Sequence, residues 1–331
     1  MKGSPAVTSA SDLKIGVVLE AFLDQPLEEV LTWLSKNAPK VTAIEVGAGG
    51  YAPHPHCDVD LLMADADARK QWLAKIDGLG FELDALNVWG NPLHPLQNVA
   101  DSHDAALRNA ITLATELGCD RIVAMAGCPA AKPGDKTAHF AGGGWLPYLE
   151  DIHTKQWDDI VVPYWDNIAN LAKAANPDLR ICIELHPGTV VYNVETFNAF
   201  TAIGPALAAN LDPSHFFWMQ MDGHAVVEAI CDRIGHVHGK DTTFNKEALA
   251  LNGLLDHRWP KSPELMPWNF SVPGAGHDQS WWDRFVELLD GSQAKVISIE
   301  HEDPFVPATQ GVPEAADVLQ SAIDKVGALV R

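Results

Sequence analysis

The sequence predicts an α/β protein, a single (β/α)8 TIM barrel with long loops after its fourth and seventh strands. Three observations predict it. Eight short apolar runs of strand length recur along the 331 residues, and amphipathic segments of helical period lie between them. The helical segments end on breakers such as Gly80, Gly118 and Asn176-Pro177. The first strand runs into Glu20-Ala-Phe-Leu-Asp24, which lacks the Gly-rich phosphate loop that a doubly wound sheet carries there.

In order, the expected strands are 14–19, 43–46, 82–88, 121–125, 180–184, 208–212, 234–238 and 296–300. Short runs of this kind suit a parallel sheet buried on both faces. The expected helices are 26–37, 60–79, 101–117, 157–175, 194–203, 224–233 and 280–289, with a final one over 313–330. The loop 126–156 is rich in Gly and Pro, including Gly142-Gly-Gly-Trp145. The loop 242–279 carries Trp259, Trp268 and Pro273-Gly-Ala-Gly276. Both follow strands, which places them over the barrel mouth as lids, substrate walls or oligomer contacts. The whole chain, 1–331, reads as one domain, and residues 1–12 as a flexible tail.

The composition excludes several classes. With 44 acidic against 23 basic residues the formal charge is −21, which repels nucleic acid and anionic membranes. No segment has the roughly 20 apolar residues of a membrane span, and the N-terminal stretch lacks the apolar run of a signal peptide. Five cysteines, an odd number with no CxxC pair, fit reduced thiols in a cytoplasmic protein. No nucleophile elbow, Walker loop or HExxH motif is present.

The chemistry lies at the strand ends. Arg180-Ile-Cys-Ile-Glu184, Ala208-Ala-Asn-Leu-Asp212, Ile234-Gly-His-Val-His238 and Val296-Ile-Ser-Ile-Glu300 each close on a residue able to bind a metal. The first three of those residues are spaced by 28 and 26 positions, about one strand-plus-helix unit, and the fourth follows 62 later, room for one unit and a long loop. Parallel strands bring such ends to the mouth of the barrel, where active sites form. Three carboxylates and an imidazole, without a thiolate, suit Mn²⁺, Mg²⁺, Co²⁺ or Zn²⁺. Glu184 and Glu300 are the leading candidates, because a solitary carboxylate at the end of an apolar strand is costly unless paired or metal-bound. His215, in Asp212-Pro-Ser-His215, is placed to bind metal or to donate to a substrate hydroxyl. Lys240 can supply a cation for a substrate oxygen, with Asp241 orienting a neighbour; alternatively the two pair with each other. His186, His94 and Trp89 complete the candidate substrate contacts, Trp89 by stacking on a sugar face.

These residues resemble the xylose isomerase-like TIM barrel superfamily, in particular its sugar phosphate isomerase/epimerase subgroup. The pieces that carry the resemblance are Ile183-Glu-Leu-His-Pro-Gly188, Asn210-Leu-Asp-Pro-Ser-His215, His236-Val-His-Gly-Lys-Asp241, Pro273-Gly-Ala-Gly276, Ile299-Glu-His-Glu-Asp303 and Gly90-Asn-Pro-Leu-His-Pro95. Similarity to the ketose 3-epimerases implies a metal quartet of Glu184, Asp212, His238 and Glu300, with Glu184 and Glu300 also serving as acid and base. After the seventh strand those epimerases carry an arginine, where this chain has Lys240-Asp241. The resemblance implies one divalent ion, Mn²⁺ before Mg²⁺, Co²⁺ or Zn²⁺, and a sugar isomerase or epimerase. It would act on a free sugar or keto-sugar through a metal-stabilised enediolate. The alternative is a lyase or dehydratase that eliminates a β-substituent from a 3-keto-glycoside or keto-inositol. The expected partner is a small carbohydrate, with no nucleic acid and no membrane, and pairing of barrels through the mouth loops would make a homo-oligomer.

Overall fold

The computed structural model describes residues 7–142, 146–255 and 262–329. Gly143 to Trp145, His257, Trp259 and the first six residues of the expected tail lie outside the described residues. Strands β1 (Lys14–Val18), β2 (Val41–Gly47), β3 (Glu82–Asn87), β4 (Arg121–Met125), β5 (Arg180–Glu184), β6 (Leu207–Leu211) and β7 (Ile234–Gly239) are followed by β8 (Asp241–Phe244), β9 (Trp268–Ser271) and β10 (Val296–Ile299). Eight of them close into a barrel in the order β1-β10-β7-β6-β5-β4-β3-β2, while β8 and β9 form a separate two-stranded sheet. The eight barrel strands are those expected from the apolar runs, each within two residues at either end.

The helices are α1 (Leu27–Asn37), α2 (Val59–Ala64), α3 (Ala66–Gly78), α4 (Gln97–Leu117), α5 (Pro147–Gln156), α6 (Val162–Ala175), α7 (Val194–Thr201), α8 (Pro213–Trp218), α9 (Gly223–Ile230), α10 (Lys246–Asn252), α11 (Gln279–Leu288) and α12 (Ala308–Leu329). None of the described helices is long and apolar enough to cross a membrane. Four of the expected helices differ from expectation, and the one expected from 101 begins at Gln97. The single helix over 60–79 is two, because Asp65 sits between them in extended backbone and its carboxylate accepts N–H groups of Asp67 and Ala68 at the start of α3. The helix expected from 157 begins at Pro147, a residue suited to a first turn, and passes through a π-helical turn at Trp157–Val161. The last helix begins five residues before Pro313, which lies inside it.

The chain forms two compact units, residues 1–44, 76–82 and 211–331, and residues 45–75 and 83–210. In the first, β1, β10 and β7 pair in parallel register, with Ile15 opposite Ile297 and Ser298 opposite His238. Trp282 and Phe285 of α11 and Leu319 of α12 are fully buried. Residues 8–10 are tied down too: Thr8 N–H donates to Ser292 O and Ala10 N–H to Asp290. In the second unit β3 to β6 pair in parallel, Met125 opposite Glu184 and Glu184 opposite Asn210. Trp165 packs edge-on against Phe200 and donates its Nε1–H to Ala126 O at 3.0 Å. Aromatic rings of this size remove about 150–250 Å² each from water, worth several kcal/mol at about 25 cal/mol per Å².

The loop expected over 242–279 holds structure of its own. After β7 the chain makes the antiparallel pair β8–β9, with Thr242 opposite Phe270 and Asp241 opposite Ser271. The pair is pinned to α8 by Trp218 and Trp268, stacked at 4.7 Å, and by the Thr242 hydroxyl donating to Ser214 O.

Candidate active site

Each ligand-type residue is set by its local chain. Glu184 is the last residue of β5, only 6% exposed, and its Oε2 accepts Asn210 Nδ2–H at 3.1 Å. Asp212 follows β6 and caps α8: its Oδ1 accepts the Ser214 N–H at 2.9 Å, and Pro213 occupies the first helical position. That arrangement uses the one turn in which a missing N–H is harmless. His238 lies on β7, fully buried, with Nδ1 3.2 Å from Glu300 Oε2. Glu300 comes one residue after β10 and is the most open of the four, its side chain 21% exposed.

Within the first unit, ligand atoms of Asp212, His238 and Glu300 lie within 4.8 Å of one another. The donor set fits a divalent cation. Asp212 Oδ2 is buried and accepts no hydrogen bond, with Lys240 Nζ at 3.0 Å and His215 Nε2 at 3.4 Å beside it. Such a carboxylate oxygen is expensive to bury unless a positive partner takes its charge.

The substrate candidates separate. His215, 2% exposed, joins Asp212, and Lys240 joins Asp212, Glu300 and Glu302. The Nδ1 of His186 lies 2.6 Å from Pro187 O. His94 and Trp89 belong to no ligand grouping among the described residues. The ring of His94 accepts the Leu96 N–H in a turn, and Trp89 packs against Tyr51 at 5.3 Å.

Lys240 and Asp241 do not pair as adjacent charges. Fully buried, Asp241 accepts five N–H groups: Thr242 N and His277 Nδ1 on Oδ1, and Gly274 N, Gly276 N and His277 N on Oδ2. The Pro273-Gly-Ala-Gly276 turn therefore wraps a carboxylate. A Cβ on Gly276 would stand 2.1 Å from Thr242 O, so no other residue fits there.

Sequence reasoning missed four residues. Phe270, on β9, lies 4.3 Å below Lys240 Nζ and edge-on to His215 at 5.4 Å. Glu302 holds Lys240 at 2.8 Å. Asn210 and Glu45 are fully buried polar residues inside apolar strands. The last two carried a visible signal, since a lone amide or carboxylate in a buried strand needs a partner. Asn210 also shares a strand face with Asp212 through the two-residue period.

Burial raises the cysteine thiols, to about 12 for Cys57, Cys119 and Cys182 and about 11 for Cys128. All five cysteines are free, and these four are protonated at neutral pH, poor nucleophiles and poor ligands.

A closed parallel eight-stranded barrel with acidic and imidazole residues at its strand ends defines the class of (β/α)8 barrels. Within that class, residues 41–322 match the family described as xylose isomerase-like TIM barrel, and the chain belongs to that family. It is 32% identical over 318 residues to "Uncharacterized protein YfiH" of Bacillus subtilis (strain 168), covering 95% of this chain and 100% of that one. Among solved structures it resembles the probable 3-DHS dehydratase AsbF, involved in petrobactin synthesis, from Bacillus anthracis. That match has a TM-score of 0.63 at 14% identity, covering 93% of this chain and 99% of that one. It also resembles an L-ribulose 3-epimerase (TM-score 0.59, 14% identity, 96% and 98% covered). Similarity at these identities concerns the fold.

Proposed function

We propose that this protein is a divalent-metal-dependent isomerase or epimerase acting on a free sugar or keto-sugar. The observation that carries the reading is the convergence of Asp212, His238 and Glu300 within 4.8 Å, with Glu184, which closes β5, as the fourth expected ligand. Those four residues would hold the ion, Mn²⁺ first among the candidates. The ion would polarise neighbouring carbonyl and hydroxyl oxygens of the substrate. Glu184 and Glu300 then act as a pair: one carboxylate takes the proton from carbon, and the other returns a proton to the adjacent carbon or the opposite face. Placed acid/base groups of this kind contribute roughly 10²–10⁴-fold each. The Asn210 amide keeps the Glu184 carboxylate aimed, and the more open Glu300 meets the substrate from the solvent side. His215 and Lys240 supply donors for substrate oxygens, and the Phe270 ring closes that wall with an apolar face suited to a sugar. The family membership and the 3-epimerase of like fold support the reading.

Elemental mass spectrometry on the purified chain and on Glu300→Gln tests the centre. About one Mn, Co, Mg or Zn per chain, sharply reduced in the variant, is expected. Absence of metal after soaking and dialysis would end the reading. On an identified sugar substrate, Glu184→Gln and Glu300→Gln should each lose turnover by at least about 10²-fold; full activity in both would exclude the proton-transfer pair.

A second reading is elimination of a β-substituent from a 3-keto-glycoside or keto-inositol. The Lys240 ammonium in contact with Glu300 favours it, because it is placed as a proton donor to a leaving oxygen. An unsaturated keto product or a released aglycone would identify this course.

A further inference from the structure

Lys240 is a buried cation surrounded by three carboxylates. Only 2% of the residue is exposed, and its Nζ sits 3.0 Å from Asp212 Oδ2, 2.8 Å from Glu302 Oε2 and in contact with Glu300 Oε2. The ring of Phe270 lies 4.3 Å away on a further side. Two of the three carboxylates belong to the metal-ligating quartet proposed above. The third, Glu302, lies outside it on the strand-end segment that carries Glu300, with half of its side chain exposed.

This geometry makes the ammonium a competitor for the same oxygens that a divalent ion needs. A cation entering the quartet withdraws Asp212 and Glu300 from Lys240. A buried ammonium left without an anionic partner is costly, so it must keep a partner that is not a ligand. Glu302 and the Phe270 face remain available.

We propose that Glu302 is the positioning residue that takes up Lys240 when a metal ion engages Asp212 and Glu300, so that the two residues set cation affinity in opposite directions. The inference rests on the quartet as a metal centre. Lys240 opposes binding by occupying ligand oxygens, and Glu302 assists it by giving the ammonium another seat. Glu302 acts only through Lys240, which fixes how the two substitutions combine. Held this way, the ammonium stays beside the quartet, aimed at the space a substrate oxygen would enter.

The test is Mn²⁺ titration of the full chain, with free Mn²⁺ read by electron paramagnetic resonance. Removing the competing charge in Lys240→Met should tighten Mn²⁺ binding by about tenfold or more, the scale expected for a unit charge in contact with ligand carboxylates. Glu302→Gln should weaken binding by about threefold or more. In the Lys240→Met background, Glu302→Gln should add nothing. A Glu302 effect of equal size in both backgrounds would overturn the inference, since the carboxylate would then act merely as a nearby charge. Unchanged affinity in Glu302→Gln, beside normal binding by the unmodified chain, would overturn it too; this half-exposed substitution leaves the core intact should Lys240→Met fold poorly. No Mn²⁺ binding by the unmodified chain would remove the metal centre itself, and this inference with it.

Discussion

Asp241→Asn tests the account of the mouth turn most directly. The carboxylate accepts five N–H groups between 2.7 and 3.1 Å, three of them backbone donors on Oδ2. An amide replaces one acceptor oxygen by a donor. With the amide nitrogen in the Oδ2 position, three backbone N–H groups lose their acceptor. In the Oδ1 position, Thr242 N–H loses its own, while His277 can shift its proton to Nε2 and accept at Nδ1. The second orientation costs less, and the remaining bonds lose their charge assistance. At about 1.5–3 kcal/mol for each hydrogen bond to a charged group, the expected loss is about 3–5 kcal/mol of unfolding free energy. Urea denaturation followed by tryptophan fluorescence measures it, since Trp281 packs 5.3 Å from the His277 ring. The control is Asp232→Asn, whose side chain is 84% exposed and which should stay within about 0.5 kcal/mol of the parent. If Asp241→Asn lost no more than this control, the turn would not be held by the carboxylate.

Three further predictions follow from contacts elsewhere. Burial depresses the pKa of His103, which accepts the Asn91 N–H as the neutral ring. Its stabilisation is therefore complete above the ordinary histidine pKa of about 6.5 and lost as pH falls through the lower folded-state value. The thermal-stability gap between the parent and His103→Gln should shrink from pH 7.5 to pH 5; a constant gap would contradict this. Asn210→Leu removes the 3.1 Å bond that orients Glu184 and should weaken metal binding by about 10–100-fold, as loss of an outer partner typically does, with Mn²⁺ titration as the readout. Thiol titration with an aromatic disulfide should find at most Cys231 reactive in the folded chain and all five cysteines after denaturation, because the other four are buried. Rapid reaction of two or more native thiols would refute the burial.

Much of the architecture was legible because secondary structure and burial are encoded locally. Apolar runs such as Arg121–Met125 and Arg180–Glu184 mark buried parallel strands, and the same residues appear as β4 and β5. The polar residues that close these strands were legible for a related reason: a polar residue ending an apolar strand has few cheap alternatives to a partner. Helix limits were less legible. Pro313 looks like a helix start, yet α12 begins at Ala308 and runs through it, although at its sixth position a proline gives up an intrahelical bond that a first-turn proline would not.

Partnership was decided by tertiary structure. Lys240 and Asp241 are adjacent in the chain, and a local reading allows them to pair. Adjacent side chains of an extended backbone point to opposite sides, so Lys240 meets Asp212, Glu300 and Glu302, while Asp241 meets a turn more than 30 residues away. Phe270 was hidden in what reads as a loop, and the antiparallel pairing of β8 with β9 places its ring against Lys240 and His215. The sequence by itself thus determined the barrel and the residue types at its strand ends, since both follow from period and polarity within a few neighbouring residues. The tertiary structure alone decided which charges meet, because hydrogen bonds and ion pairs act over about 3 Å between groups that the chain separates by tens of residues.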